Sequence, residues 1–245
     1  MKTLGIVQAC HVAPPALDKI GRKLGGKTLL EWVVRRATDC QRLDRVVVLL
    51  GDTASERELA RLAPPDVEVF VGSEPDALAR FAAIVARHAP SGIVRICADN
   101  PFVDAMLIDR LVSTADIHPE SDYISYASND GQPSILSSLG PFAEWCSAKA
   151  IAEAARLAKR PQDRQEVTRY LFSHPQQFQV RLVQLPLSLD RTDVQLRIDG
   201  QEDWDHIQVI YEALGPEEWD LNRLAGLLDQ QPVPRKRKPL AGSSK

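Results

Sequence analysis

Apolar and polar positions along this chain follow two rhythms that take turns. Short runs rich in apolar and β-branched residues fall at 3–9, 45–50, 67–71, 93–97, 122–126, 179–185 and 194–198. Between them apolar residues recur at helical spacing over 28–38, 55–62, 75–88, 105–115, 147–159, 164–173, 202–214 and 221–228. The first pattern suits strands covered on both faces, and the second suits helices with one buried stripe. Their alternation predicts an α/β fold in which a mostly parallel sheet lies between two helical layers, a three-layer α/β/α sandwich. The alternation breaks after Tyr126, where Ala127-Ser128-Asn129-Asp130-Gly131-Gln132-Pro133 is turn chemistry. A less regular stretch runs to about Leu189, followed by a last strand and two helices.

We expect one domain over residues 1–230 and a flexible basic tail over 231–245, where Pro, Lys, Arg, Gly and Ser dominate. The run Arg235-Lys236-Arg237-Lys238 reads as a solvated terminus before it reads as a targeting or anion-binding signal. No internal repeat is visible.

Composition narrows the class without naming it. A chain of 245 residues with 44% hydrophobic and 26% charged residues and a net charge of −3 reads as an ordinary soluble protein with a substantial core. It carries no electrostatic footprint for nucleic acid and no apolar run near the ~20 residues of a membrane span. The first residues lead directly into strand pattern without the cleavage region of a signal peptide. Cys10, Cys40, Cys97 and Cys146 are scattered with no C-x-x-C pair, which argues against zinc and disulfides and fits a cytoplasmic location. Cys10 and His11 are adjacent, and chain neighbours rarely face each other as nucleophile and base, so a catalytic Cys10 is not expected.

Two carboxylates stand where chemistry is expected. Ile93-Val94-Arg95-Ile96-Cys97-Ala98 ends on Asp99, and Gln195-Leu196-Arg197-Ile198 ends on Asp199. Ligands of parallel α/β sheets bind outside the carboxyl ends of the strands, so both acids point to one site. Mg²⁺ takes one or two carboxylates together with phosphate oxygens and water, which this pair would supply. Simpler roles are open: Asp199 has capping-box spacing to Glu202, Asp99 can serve the turn at Asn100-Pro101, and Asp104 is placed to cap the next helix. The long loop between the first strand and residue 27 lies where nucleotide phosphates are usually held.

Several segments resemble one family in order and spacing. Ala98-Asp99-Asn100-Pro101-Phe102-Val103-Asp104 with Leu107-Ile108-Asp109-Arg110-Leu111 is similar to the ADCPLID…LIDRL segment of the spore-coat polysaccharide and acylneuraminate type of cytidylyltransferase. Gly25-Gly26-Lys27-Thr28-Leu29-Leu30-Glu31-Trp32 resembles its GGKPLLEW element, and the segment from Gly72 to Phe81 resembles GSEDDVLDRF. Arg164-Gln165-Glu166-Val167-Thr168-Arg169-Tyr170 resembles REHVTPY, and the segment from Leu196 to Asp203 resembles LTVDTPED. The resemblance spans about residues 2–230.

It implies a nucleotide-diphospho-sugar transferase (GT-A-like) fold and transfer of CMP from CTP to a sugar, with release of pyrophosphate, in surface polysaccharide or glycan biosynthesis. By this resemblance Asp99 and Asp199 hold Mg²⁺, Lys19 contacts the triphosphate, and Gln8 with the backbone at Ala9 faces base or ribose. Arg22 and Lys23 are substitute phosphate ligands, and Glu144 and Arg164 belong to the sugar side. An ion pair of Arg164 with Glu166 is the structural alternative for that arginine. The family implies a homodimer, with a subunit contact expected over about residues 130–160, where Trp145 is either interface or core.

The chain departs from the family most in the loop, which there reads approximately Q-A-R-x-x-S-x-R-L-P-x-K. Gln8, Ala9 and Lys19 are kept, while Cys10 and Pro15 take the arginine positions, Ala13 the serine and Leu17 the proline. A charge-assisted arginine–phosphate contact is worth about 1.5–3 kcal/mol, so two losses weaken triphosphate binding by ~10²–10⁴-fold unless other groups compensate. Further departures put Glu166 at the histidine of REHVT, Phe142 at the aspartate of a GLDVE element and Ala79 at the last acid of GSEDDVLDRF. Two other readings stay open beside the enzyme: a non-catalytic relative kept for binding or assembly, and a glycosyltransferase using a nucleotide-sugar on the same fold.

Overall fold

The computed structural model describes residues 2–10, 19–127, 131–136, 140, 142–186, 189, 195–198, 200–215 and 221–230. Seven strands form one sheet: β1 (Thr3–Gln8), β4 (Arg45–Gly51), β5 (Glu68–Gly72), β6 (Gly92–Cys97), β7 (Tyr123–Ala127), β8 (Glu144–Ser147) and β9 (Val180–Gln184). Their order across the sheet is β5-β4-β1-β6-β8-β7-β9. β8 runs antiparallel to both of its neighbours, and the other pairs are parallel. From β1 the chain builds outward through β4 and β5, then returns to place β6 on the other side of β1. That reversal makes the β1–β6 boundary the topological switch point, and ligands of such sheets bind there, outside the carboxyl ends of the strands.

Helices cover both faces, as the alternating pattern predicts. On one face α1 (Leu29–Thr38), α4 (Ala105–Ile117), α8 (Gln201–Leu214) and α9 (Leu221–Gln230) pack with Val7, Ala9, Val48 and Ile96. On the other, α3 (Ala77–His88), α5 (Ala148–Leu157) and α7 (Arg169–Ser173) pack with Leu4, Ile6, Leu49 and Ile93. Leu30, Val33, Leu78, Phe81, Leu111 and Ile151 are almost fully buried in these layers. Each such side chain contributes roughly 1.5–3 kcal/mol. The starts of α1, α3, α4, α5 and the short α2 (Ala54–Leu59) are fixed by the side chains of Thr28, Asp76, Asp104, Ser147 and Thr53, each accepting a backbone N–H three residues on. Asp104 therefore caps α4 as its spacing suggests.

A two-stranded hairpin, β2 (Lys23–Leu24) and β3 (Lys27–Thr28), leads into α1. Gly25 and Gly26 both have positive φ (57° and 85°), the geometry a tight two-residue hairpin turn requires.

Three expectations are corrected. Residues 195–198 form no strand; Leu196 and Ile198 alternate as apolar because both are fully buried, and an extended segment against a core shows that pattern without a ladder. The helix expected over 164–173 is two short helices, α6 (Pro161–Gln165) and α7. The break between them turns Val167 and Thr168 into the core. β8 was not expected, because the charge at Glu144 interrupts a four-residue apolar run. The tail over 231–245 lies outside the described residues, and among those described no helix is long and apolar enough to cross a membrane.

Candidate functional site

Of the groups singled out in the sequence, Gln8, Ala9 and Asp99 lie at the carboxyl ends of β1 and β6. Gln8 closes β1 and sits in register with Cys97 at the end of β6. The Ala98 N–H donates to the Gln8 carbonyl (3.1 Å), carrying the chain from β6 across the switch point to the half-buried Asp99. The Ile198 N–H donates to the Asp99 carbonyl (3.4 Å), so the extended segment ending at Ile198 lies beside the residue that follows β6. Asp199 itself is outside the described residues. The helix after it is capped one residue later than expected: Gly200 is the N-cap of α8, and its N–H donates to Asp203 Oδ2 (2.8 Å).

The loop root is fastened to the same region. Arg22 donates to Gln201 Oε1 and its guanidinium lies 5.0 Å from the centre of the Trp204 ring, both in the first turn of α8. The Lys19 carbonyl accepts from the Arg22 N–H (3.2 Å). Lys23 is exposed on β2. His11 to Asp18, including Ala13, Pro15 and Leu17, lie outside the described residues.

Cys10 turns inward. It is 3% exposed and packs in the layer of Leu4, Ile6 and Phe81 beside Arg80. Burial pushes its thiol pKa up, only partly offset by Arg80, so it is no ready thiolate. Ala9 is buried, and its N–H donates to the Leu49 carbonyl (2.9 Å), which commits that backbone group to the β1–β4 pairing.

Glu144 and Arg164 are held by internal partners. Glu144 is fully buried. Its Oε1 accepts from the Tyr123 hydroxyl (2.5 Å) and the Thr168 hydroxyl (2.9 Å), and its Oε2 from Arg95 (2.6 Å). Arg164 donates to Asp76 Oδ2 (2.6 Å) and to the Ala155 carbonyl (2.8 Å), tying α6 to the N-cap of α3 and the end of α5. Its ion pair is thus with Asp76, while Glu166 pairs with Arg169 (3.2 Å), because Arg164 projects into the helical layer and Glu166 stays outside it. Trp145 is 2% exposed and belongs to the core.

Sequence reading passed over Arg95. Its Nε–H donates to Gln8 Oε1 (2.7 Å) while its other arm holds Glu144. Burial works against its charge, but the ion pair with Glu144 keeps it firmly protonated. The available signal was a lone charge inside an otherwise apolar strand that ends on Asp99.

Among the described residues no group of three or more His, Cys, Asp or Glu side chains is placed to hold a metal. A hard cation shared with a triphosphate needs fewer, and a strand-end carboxylate with a neighbouring segment bonded beside it fits that demand.

The chain is 29% identical over 236 residues to the spore coat polysaccharide biosynthesis protein SpsF of Bacillus subtilis, covering 94% of this chain and 95% of that one. Its fold matches a cytidylyltransferase from Leptospira borgpetersenii with a TM-score of 0.82 at 20% identity, covering 94% of each chain. It also matches a CMP:2-keto-3-deoxy-manno-octonic acid synthetase complexed with CTP, with a TM-score of 0.64 at 10% identity over 87% of this chain and 99% of that one. These neighbours share the nucleotide-diphospho-sugar transferase fold expected from the sequence. The family model described as cytidylyltransferase matches residues 17–228, and the chain belongs to the cytidylyltransferase family.

Proposed function

We propose that this protein transfers CMP from CTP to a sugar acceptor, releasing pyrophosphate, in the biosynthesis of a surface polysaccharide or glycan. The observation that carries the reading is the meeting of Gln8, Asp99 and the Ile198 segment at the switch point of the sheet. Family membership and the likeness to a CTP-bound synthetase support it.

In this reading the acceptor hydroxyl oxygen forms a bond to the α-phosphorus in line, the bridging P–O bond to the β-phosphate breaks, and the hydroxyl proton passes to solvent. Asp99 and Asp199 would hold Mg²⁺, which when bound offsets charge on the triphosphate. Lys19 brings positive charge to the phosphates, Arg22 fixes the loop root against α8, and Gln8 offers hydrogen bonds at the end of β1. Most of this task is positioning and electrostatics. The protein works in this reading as a cytoplasmic homodimer with residues 1–230 as one domain; light scattering on the purified chain tests the dimer.

Calorimetric titration with CTP, with and without Mg²⁺, tests the core of the proposal. We expect micromolar, Mg²⁺-dependent binding, loss of the metal dependence in Asp99→Ala and Asp199→Ala, and pyrophosphate release once an acceptor is supplied. Absence of binding to CTP at millimolar concentration would sink the enzyme reading. The inward turn of Cys10 favours a second reading, a relative that keeps the fold for binding or assembly, since that position cannot replace a phosphate-binding guanidinium. Preference for a UDP- or GDP-sugar over CTP would point instead to glycosyl transfer.

A further inference from the structure

We propose that Arg95 is a positioning residue: through a buried relay it locks the Gln8 side chain so that Gln8 shows its ligand hydrogen-bond donors only. The inference rests on the CTP reading above and deepens it. Arg95 lies on β6, opposite Ile6 of β1 and in register with Glu144 of β8. Strand alternation puts Gln8, Arg95 and Glu144 on one sheet face, the face that carries Leu4, Ile6, Ile93 and Cys146.

The direction of every bond in the relay is set by chemistry. Arginine has donors and no acceptor, so Glu144 Oε2 accepts from one arm and Gln8 must turn its carbonyl oxygen to the Nε–H. The usual ambiguity of an amide flip is thereby removed. Glu144 in turn is held on its other oxygen by the Tyr123 and Thr168 hydroxyls, so the carboxylate cannot swing away. The Gln8 side chain makes no other hydrogen bond among the described residues, and its two Nε2 hydrogens are left at the half-buried end of β1, on the switch point.

A group offering donors alone selects an acceptor oxygen on its ligand. Two parts of CTP carry one: the phosphate chain, and the carbonyl and hydroxyl oxygens of the cytidine half. A buried ion pair stabilises little beyond what a hydrophobic pair would, so its use here fits orientation better than stability.

The test is a set of calorimetric titrations with Mg²⁺ and CTP. Arg95→Lys keeps a cation for Glu144 but removes the Nε–H. Gln8→Glu still accepts from Arg95 but turns an acceptor toward the ligand. We expect each to weaken CTP binding about tenfold or more, the scale of one lost or reversed hydrogen bond, with melting temperatures near wild type. In a Gln8→Ala background Arg95→Lys should change binding no further. If Arg95→Lys costs as much there as in the wild type, or if Gln8→Glu binds CTP normally, the inference is wrong.

Competition by cytidine and by inorganic tripolyphosphate locates the oxygen. A Gln8→Glu loss felt by only one of them upholds the inference and assigns that half of the nucleotide; a loss felt by neither overturns it. In the unliganded protein the Arg95 Nε–H should exchange slowly with solvent and become fast in Gln8→Met. Fast exchange in the wild type would discard the relay while leaving the proposed function intact. A wild type that ignores CTP would remove that function, and the ligand half of this inference with it, whatever the exchange shows.

Discussion

Two attachments frame the candidate site, and they are built from opposite materials. On one side Arg95, Glu144, Tyr123 and Thr168 form a charged network with Glu144 wholly out of water. On the other Arg22 lies over Trp204 and reaches Gln201 at the protein surface, while Tyr211 packs edge-on against Trp32 behind the hairpin turn. The first holds the Gln8 side chain at the end of β1 and the second fixes the root of the loop. A buried ion is held by the cost of leaving it unpaired, several kcal/mol, whereas a surface arginine gains at most about 1 kcal/mol from its partners. The network is therefore tied to stability, and the clamp can be removed with the fold intact.

Alkaline pH breaks the buried side most broadly. Burial raises the pKa of Cys97 and Cys146 above the ordinary 9.0, and burial with Glu144 raises that of Tyr123 well above 10.0. Their folded pKa values exceed the unfolded ones, so their contribution is fully present below the unfolded values and is lost as pH rises toward the folded ones. Each such group removes about 1.4 kcal/mol per pH unit in that window. Urea unfolding should thus show stability falling steeply from about pH 9 upward, and a flat profile between pH 8 and 10.5 would contradict the burial of these groups.

Next in size, Glu144→Leu should cost about 3–5 kcal/mol, because Arg95 is left as a buried charge without its partner. Equilibrium denaturation checks this, and a loss below about 1 kcal/mol would mean water reaches Arg95.

At the clamp the effects shrink. Gly25 has φ of 57° and its missing Cβ would run into Tyr211, so Gly25→Ala should cost about 1–2 kcal/mol and disturb Trp32 fluorescence. Arg22→Ala should change stability by less than about 1 kcal/mol yet weaken CTP binding severalfold, since the loop root loses its anchor on the first turn of α8. Equal stability losses at Arg22 and Glu144 would erase the contrast between the two sides.

How much of this was legible depended on whether the signal was local. The strands that became β1, β4, β5, β6, β7 and β9 were readable because each is an apolar run whose neighbours pair along most of its length. β8 was hidden, since its inward Glu144 looks like a break until Arg95 lies across from it in the antiparallel register. The reverse error occurred at 195–198, where burial alone wrote a strand-like alternation. Arg164 was expected on the sugar side or beside Glu166, but its partner, Asp76, is far away in the chain. The strand-end position of Asp99 could be read; the inward turn of Cys10 and the hold of Arg95 on Gln8 could not.

The sequence by itself determined the alternation of strand and helix, the cap at Asp104 and the family to which the chain belongs. These depend on backbone periodicity, on side chains reaching a few residues along the chain, and on motifs that are contiguous. Tertiary structure alone decided that β8 enters the sheet reversed, that Gln8 and Asp99 share the switch point, and that Arg95 sets the face Gln8 presents. Those outcomes depend on pairing a buried charge or an unfilled donor with whatever group packing brings within 3 Å. Sequence separation carries no information about that distance once the chain has crossed the sheet.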